Sequence, residues 1–332
     1  MRRRHLGGTL LGITAAVTLA AAGPAFAVDK YAAEFLKIGV GARAQGMGGS
    51  FVSLADDASA AYWNPAGLTQ LRSREAMAMH ASQFGGVVAH NFGSVVIPLD
   101  STNRRAAVGI TAIWLSVDEI RVTKDAKIGE DEAGNPILDE NLIREESAYD
   151  LGLMLTYARD LGDRWSAGVN VKLIRQSLVD AGSSFGLGAD VGFLFHPRPD
   201  LALGLKLADV TTTRLYWDSG RRETVSPTVT VGAHTTRAIQ ALRGTVTLGL
   251  DAGFAFEGIE EADQFSSGSL SGNVLPGAEY WYRRTVALRV GSEGGDLTAG
   301  AGVRYRRFGV DYAYLDHSDL DASHRVSALY RF

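Results

Sequence analysis

The strongest constraint on this chain is a period of two. From residue 73 to the C-terminus, apolar side chains recur at every second position. Tyr149, Leu151, Leu153, Leu155 and Tyr157 alternate with Asp150, Gly152, Met154, Thr156 and Ala158. Val246, Leu248, Leu250, Ala252 and Phe254 alternate with Thr247, Gly249, Asp251 and Gly253. Successive side chains of a strand point to opposite faces, so this pattern sorts two residue classes onto two faces. In a soluble sandwich the outward face is polar and the inward face large and apolar. Here the non-apolar face is mostly Gly, Ala, Ser and Thr with isolated charges. That suits the inside of a closed barrel whose apolar face meets lipid.

The pattern predicts an all-β fold, a transmembrane antiparallel β-barrel of about fourteen strands. Their spans are 73–83, 87–99, 104–116, 147–158, 164–177, 184–195, 199–208, 226–236, 243–256, 274–283, 284–292, 296–306, 307–315 and 322–332. Most approach the ~9–11 residues that a tilted strand needs to cross a bilayer. Short connections at 159–163, 196–198, 283–284 and 306–307 alternate with long ones at 117–146, 209–225 and 257–273. Short turns belong to the periplasmic side and long loops to the outside. Trp114, Tyr149, Tyr157, Trp165, Phe185, Phe195, Tyr282, Tyr305, Phe308 and Tyr314 sit near the ends of the apolar face, where interfacial girdles form. Pro276 falls inside a strand and predicts a bulge, since a closed barrel has no edge to hide it. The last strand, ending in Tyr330 and Phe332, resembles the assembly signal of bacterial outer-membrane barrels. That resemblance implies outer-membrane lipid and the barrel-assembly machinery as partners.

The N-terminus reads as an export address. Arg2, Arg3 and Arg4 precede an apolar stretch from Leu6 to Ala22, and Ala25-Phe26-Ala27 supplies an A-x-A cleavage site. Residues 1–27 are thus expected to be a signal peptide, 28–71 a separate segment and 72–332 the barrel, in the bacterial outer membrane. The absence of Cys excludes disulfides, Cys-ligated metals and a thiol nucleophile. A formal charge of −4 argues against nucleic-acid binding. The 39 glycines in 332 residues exceed the usual share of about 7% and call for an explanation.

The predicted inward face carries Asp150, Lys172, Asp190, Lys206, Asp251, Glu279, Arg289, Arg304, Asp311 and Arg325. On strands four to seven the signs alternate, and neighbouring strands lie about 4.8 Å apart, so lateral pairs are expected. Gly152, Gly168, Gly188, Gly204, Gly232, Gly249, Gly300 and Gly309 leave room against the wall. Either another segment fills the lumen or these glycines only ease curvature.

Residues 28–71 do not alternate. Their glycines follow neither the dinucleotide-binding spacing nor a P-loop pattern. Asp57 can cap a short helix, and Asn64-Pro65-Ala66-Gly67 would end it, with Gly67 available for positive φ. The run Phe35 to Gly49, containing Gly46, Gly48 and Gly49, is followed by Ala55-Asp56-Asp57 and Tyr62-Trp63-Asn64-Pro65-Ala66-Gly67. It resembles the PorV/PorQ family within the wider FadL-like group of outer-membrane barrels. In such barrels the N-terminal segment folds into the lumen as a hatch and carries the Asn-Pro-Ala-Gly motif. The resemblance implies either passage of hydrophobic compounds or a role in holding secreted proteins at the cell surface in type IX secretion. Gly46, Gly48, Gly49, Asp56, Asp57, Asn64, Pro65 and Gly67 are then the structural residues of the hatch.

No catalytic constellation emerges from the sequence. The seven His lack metal-ligand spacing, and His80 and His324 read as interfacial histidines near loops, although Ser323 neighbours His324. The acidic stretch 129–146 lacks the spacing of a calcium loop. The expectation is a non-enzymatic barrel without cofactor. Its main reading is a secretion-accessory or surface-partner protein, with Tyr216 and Trp217 as loop aromatics that anchor a partner. The alternatives are a transporter of hydrophobic small molecules and a structural barrel in an assembly.

Overall fold

The computed structural model describes residues 32–99, 105–131, 133–256, 264–316 and 322–332. The expected signal peptide lies outside them. The strands are β1 (Glu75–Gln83), β2 (Val88–Leu99), β3 (Ala106–Val122), β4 (Lys127–Glu130), β5 (Pro136–Leu138), β6 (Arg144–Asp160) and β7 (Trp165–Leu178). They continue as β8 (Gly182–Arg198), β9 (Leu201–Ala208), β10 (Thr213–Trp217), β11 (Arg222–Val225), β12 (Thr228–Ile239) and β13 (Gly244–Ala255). The last are β14 (Phe265–Ser267), β15 (Leu270–Tyr282), β16 (Val286–Glu293), β17 (Asp296–Tyr305), β18 (Phe308–Leu315) and β19 (Ser323–Arg331).

Fourteen of these form the wall, each antiparallel to its neighbours: β1–β3, β6–β9, β12, β13 and β15–β19. The ring closes where β1 meets β19, from Glu75 opposite Arg331 to Ser82 opposite His324. Closure is what hydrocarbon demands, because an open edge would leave backbone groups without partners. Leu155, Leu187, Leu250 and Leu288 point outward and are more than half exposed. That exposure would be costly in water and is natural against lipid. Trp165 stacks on Phe195 at 4.3 Å and Phe308 lies 4.8 Å from Tyr330, all near the end where the short turns lie.

Three expectations need correction. Short turns occur at both ends, since 84–87, 179–181 and 294–295 close hairpins on the side of the long loops. At the last of these Gly294 and Gly295 adopt positive φ, which lets two residues reverse the chain. Pro276 makes no bulge. It stays in register with Leu250, while pairing of β15 with β16 begins only at Gly277, so the missing N–H falls where β15 has one neighbour. The loops 117–146 and 209–225 are largely strand: β3 and β6 extend into the first, around the β4–β5 hairpin. In the second, β10 pairs with β8 and with β11.

Residues 32–71 lie within the ring. They form 3-10 turns at Glu34–Leu36 and Pro65–Gln70 and two short helices, α1 (Ala42–Gln45) and α2 (Ala60–Trp63). Met47, Phe51 and Leu68 are fully buried there, and Trp63 meets Tyr62 and Phe51 edge-on at 5.0 and 6.2 Å. Four-residue helices have no intrinsic stability, so this segment is shaped by what surrounds it.

Candidate lumenal site

The N-terminal segment is tied to inward-facing side chains around the ring. Arg43 on α1 makes a two-pronged pair with Glu279 of β15, with both contacts at 2.8 Å. The same guanidinium reaches Asp56 at 2.5 Å and Asp57 at 3.4 Å. Glu279 also accepts from Arg289 at 2.7 Å, Arg289 lies 3.0 Å from Asp311, and Arg304 lies 2.7 Å from Asp311. A chain of alternating charge thus runs from the segment into β15, β16, β17 and β18. Buried charges persist only when paired in this way. Burial pushes the Asp57 carboxyl up, and the Arg43 charge opposes that rise.

Further ties come from other strands. Asp251 of β13 accepts from the backbone N–H of Phe51 and Val52 at 2.8 and 2.7 Å. Arg325 of β19 donates to the Ile38 carbonyl at 3.0 Å and to Gln45 at 2.6 Å. Asn170 donates to the Ala61 carbonyl at 2.7 Å, and Lys206 to that of Tyr62 at 2.6 Å. Of the lateral pairs expected on strands four to seven, Lys172 meets Asp190 at 2.7 Å, and it also meets Asp209 at 2.6 Å. Asp150 instead accepts from Gln176 at 3.0 Å.

The motif residues have specific local tasks. Asp57 accepts from the Ser59 N–H and hydroxyl, so the helix cap is Ser59 and Asp57 braces it from two residues upstream. Asn64 caps the next turn by accepting from Ala66 N–H at 3.1 Å, with Pro65 at its first position. Its amide also donates to Val52 and, across to the wall, to Phe193. Gly67 does not take positive φ, contrary to expectation. A Cβ there would strike the Ala55 backbone, so its role is close approach. Gly48 and Gly49 do adopt positive φ, at 64° and 74°.

The inward glycines divide into two groups. A side chain on Gly168, Gly204 or Gly249 would collide with Pro65, Val52 or Ser50 of the segment, and Gly300 lies against Gly46. Gly188, Gly232 and Gly309 make room for the side chains of Thr213 on β10 and of Asp251 and Arg304 on the wall. Sequence reasoning missed Gly192, Gly277 and Gly291, which meet Pro65 and Met47; their inward parity was the signal available.

Between the segment and the wall lies a cavity of about 210 Å³. Trp63, Tyr62 and Val52 border it from the segment, and Met154, Val225 and Leu275 from the strands. Lys172, Asp190, Lys206 and Asp209 also border it, already engaged as described. The expected loop anchor fares differently. Trp217 is 8% exposed on β10, and only its neighbour Tyr216 faces outward. Alternation within an unrecognised strand turned the indole inward.

No protein-family model matches this sequence, and no curated protein matches it. Its fold does have counterparts. The toluene transporter TbuX of Ralstonia pickettii superposes with a TM-score of 0.55 at 13% identity, over 89% of this chain and 98% of that one. A FadL homologue of Pseudomonas aeruginosa gives 0.54 at 14% identity, over 86% and 96%. The monoaromatic hydrocarbon channel CymD gives 0.53 at 13% identity, over 89% and 98%. At such identities the likeness is one of architecture, and the architecture is that of the FadL-like fourteen-stranded outer-membrane barrels.

Proposed function

We propose that this barrel carries small hydrophobic molecules across the outer membrane, with residues 32–71 as the hatch that closes its lumen. The observation carrying the reading is the cavity between segment and wall. Its volume of about 210 Å³ exceeds the about 150 Å³ that admits benzene, which leaves room for one small ring beside the paired charges on its border. Trp63, Met154 and Leu275 supply apolar contact. The structures it resembles in fold include proteins described as carriers of toluene or monoaromatic hydrocarbons. A surface-partner role of the PorV/PorQ kind finds less support, because Trp217 is buried.

The test is uptake of a labelled single-ring hydrocarbon into proteoliposomes. Gly253 borders the cavity, and a Cβ there meets nothing closer than Thr230 at 3.9 Å. Gly253→Phe therefore starts its side chain in open space at the cavity and, with the folded barrel checked by gel mobility, should abolish most of the uptake. Equal uptake by the variant, or none by the parent protein, rejects the reading.

A further inference from the structure

The turns at one end of the ring carry residues that do not suit their shape. Between β15 and β16 the Thr285 N–H donates to the Tyr282 carbonyl at 2.9 Å, and the two residues inside that turn are Arg283 and Arg284. Both take positive φ, at 49° and 56°, a conformation for which Asn-Gly or Gly-Gly is the usual pair. Arg243 between β12 and β13 and Arg306 between β17 and β18 also lie there, at 50° and 53°. Among the described residues every positive-φ position of this rim is Arg. The opposite rim relies on Gly85, Gly86, Gly182, Gly294 and Gly295 for its tight turns. A long side chain in the left-handed region is disfavoured, so arginine at four such positions points to a task for the guanidinium.

Backbone bonds set these turns side by side. The Arg283 N–H donates to the Arg243 carbonyl at 3.0 Å, that of Arg304 to Thr285 at 2.8 Å, and that of Arg331 to Arg307 at 2.8 Å. Arg331 is paired with Glu75 at 2.8 Å. Arg243, Arg283, Arg284, Arg306 and Arg307 are exposed and make no ion pair with another described residue. Two of them mark the depth of the arc. The Arg283 guanidinium lies 5.3 Å from the Tyr282 ring and that of Arg306 5.3 Å from the Tyr305 ring. Both tyrosines are exposed on the lipid-facing side of the wall, where such rings sit at headgroup level. Between the β12–β13 and β15–β16 turns lies a recess of about 370 Å³, bordered by Arg243, Arg283 and Arg284 together with Gln240, Thr245 and Trp281.

We propose that this recess binds the phosphate of an anionic phospholipid from the leaflet that the short turns meet, the periplasmic one. The planar fork of arginine matches two phosphate oxygens at once, which lysine cannot do. No Lys occurs among the described residues of this rim. Arg243, Arg283 and Arg284 converge on the phosphodiester, and Arg306 and Arg307 extend the positive arc to the next headgroup. The acyl chains then lie along the apolar wall above Tyr282 and Tyr305. The tyrosines favour a lipid over a soluble phosphate, because they hold two of the guanidinia on the face that lipid covers.

The test uses the full chain in nanodiscs of phosphatidylglycerol and phosphatidylethanolamine in equal parts, with native mass spectrometry counting the lipids retained. The parent protein should retain phosphatidylglycerol preferentially. Arg283→Asn combined with Arg284→Gly installs the pair that the turn favours, so the barrel should still run as folded on gels. Its retention of phosphatidylglycerol should fall about 25-fold, at about fivefold for each Arg removed. Arg283→Lys combined with Arg284→Lys keeps the charge without the fork and should recover only part of the loss. Arg214→Ala, on β10 at the opposite end, should change nothing. Equal retention of the two lipids, as a rim built for an acidic protein would give, overturns the proposal. So does unchanged retention in the Asn-Gly variant, full recovery in the Lys variant, an equal fall in Arg214→Ala, or displacement of the lipid by inorganic phosphate, which would make this a site for a soluble anion.

Discussion

Removing the Arg43 side chain should loosen the N-terminal segment while leaving the barrel intact. Arg43 is the hub between α1 and the wall, with two contacts of 2.8 Å to Glu279. Breaking a buried ion pair by deleting one partner costs about 3–5 kcal/mol. Glu279 retains Arg289 at 2.7 Å, so its charge is not orphaned, and the loss belongs at the low end, about 3 kcal/mol. Asp56 is more than a third exposed and adds little, and the buried Asp57, 3.4 Å away, keeps its two bonds from Ser59. At 1.4 kcal/mol per decade, the unseated population of Arg43→Ala rises about 10²-fold. Hydrogen exchange reads this directly. The Gln45, Gly46 and Ala55 amides bond within the segment, to Gly41, Ala42 and Phe51, and should exchange about a hundredfold faster. Amides of β6 and β7 should keep their protection. Unchanged exchange over 42–57, or an equal rise throughout the wall, would refute the view that Arg43 and Glu279 latch the segment.

Other perturbations address the same assembly. Gly291→Ala drives a methyl into the backbone between Met47 and Gly48, so its conductance in planar bilayers should exceed that of the parent while the barrel still runs as folded on gels. Deleting residues 28–70 should leave a foldable barrel of raised passive permeability; unchanged conductance would count against a closing role for the segment. Asp218 accepts from the Ser183 N–H and hydroxyl at 2.9 and 3.2 Å, and these bonds hold its carboxyl below the usual value. Because the folded value is depressed, this tie is fully present above the ordinary carboxylate pKa and is lost only as pH falls through the depressed one. The Ser183 amide should therefore stay protected at pH 4 and lose protection only in stronger acid; loss at pH 5 would contradict it.

Alternation made the wall legible, because a period of two names the face of each residue without knowledge of its neighbours. Lys172, Asp190, Asp251, Glu279, Arg289, Asp311 and Arg325 are buried on the face that parity gives them. Partners were less legible. Lys172 meets Asp190 as lateral pairing suggests, but Asp209 also reaches it from beyond the end of β9, where no alternation operates. Trp217 was misplaced for a related reason: β10 is five residues long, too short to show its period between loop-like flanks. His80 and Asn91 lie eleven residues apart, and only the hairpin register shows that they face each other.

The pairing inside the lumen also bears on what can pass. Arg289 and Arg304 share Asp311, Lys172 is held between Asp190 and Asp209, and Lys206 and Arg325 donate to backbone carbonyls of the segment. Lys206 and Arg325 thus hold the segment, and Arg289, Arg304 and Lys172 are committed to carboxylates of the barrel itself. A charged cargo would have to displace one of these partners and leave a buried charge behind, at a cost of about 3–5 kcal/mol. An uncharged apolar cargo meets no such penalty and gains from Trp63, Met154 and Leu275. The electrostatics that fasten the segment therefore also select against charge. Removing one of the two carboxylates on Lys172, by Asp209→Asn with Asp190 left in place, should raise the entry of small anions above that of the parent protein.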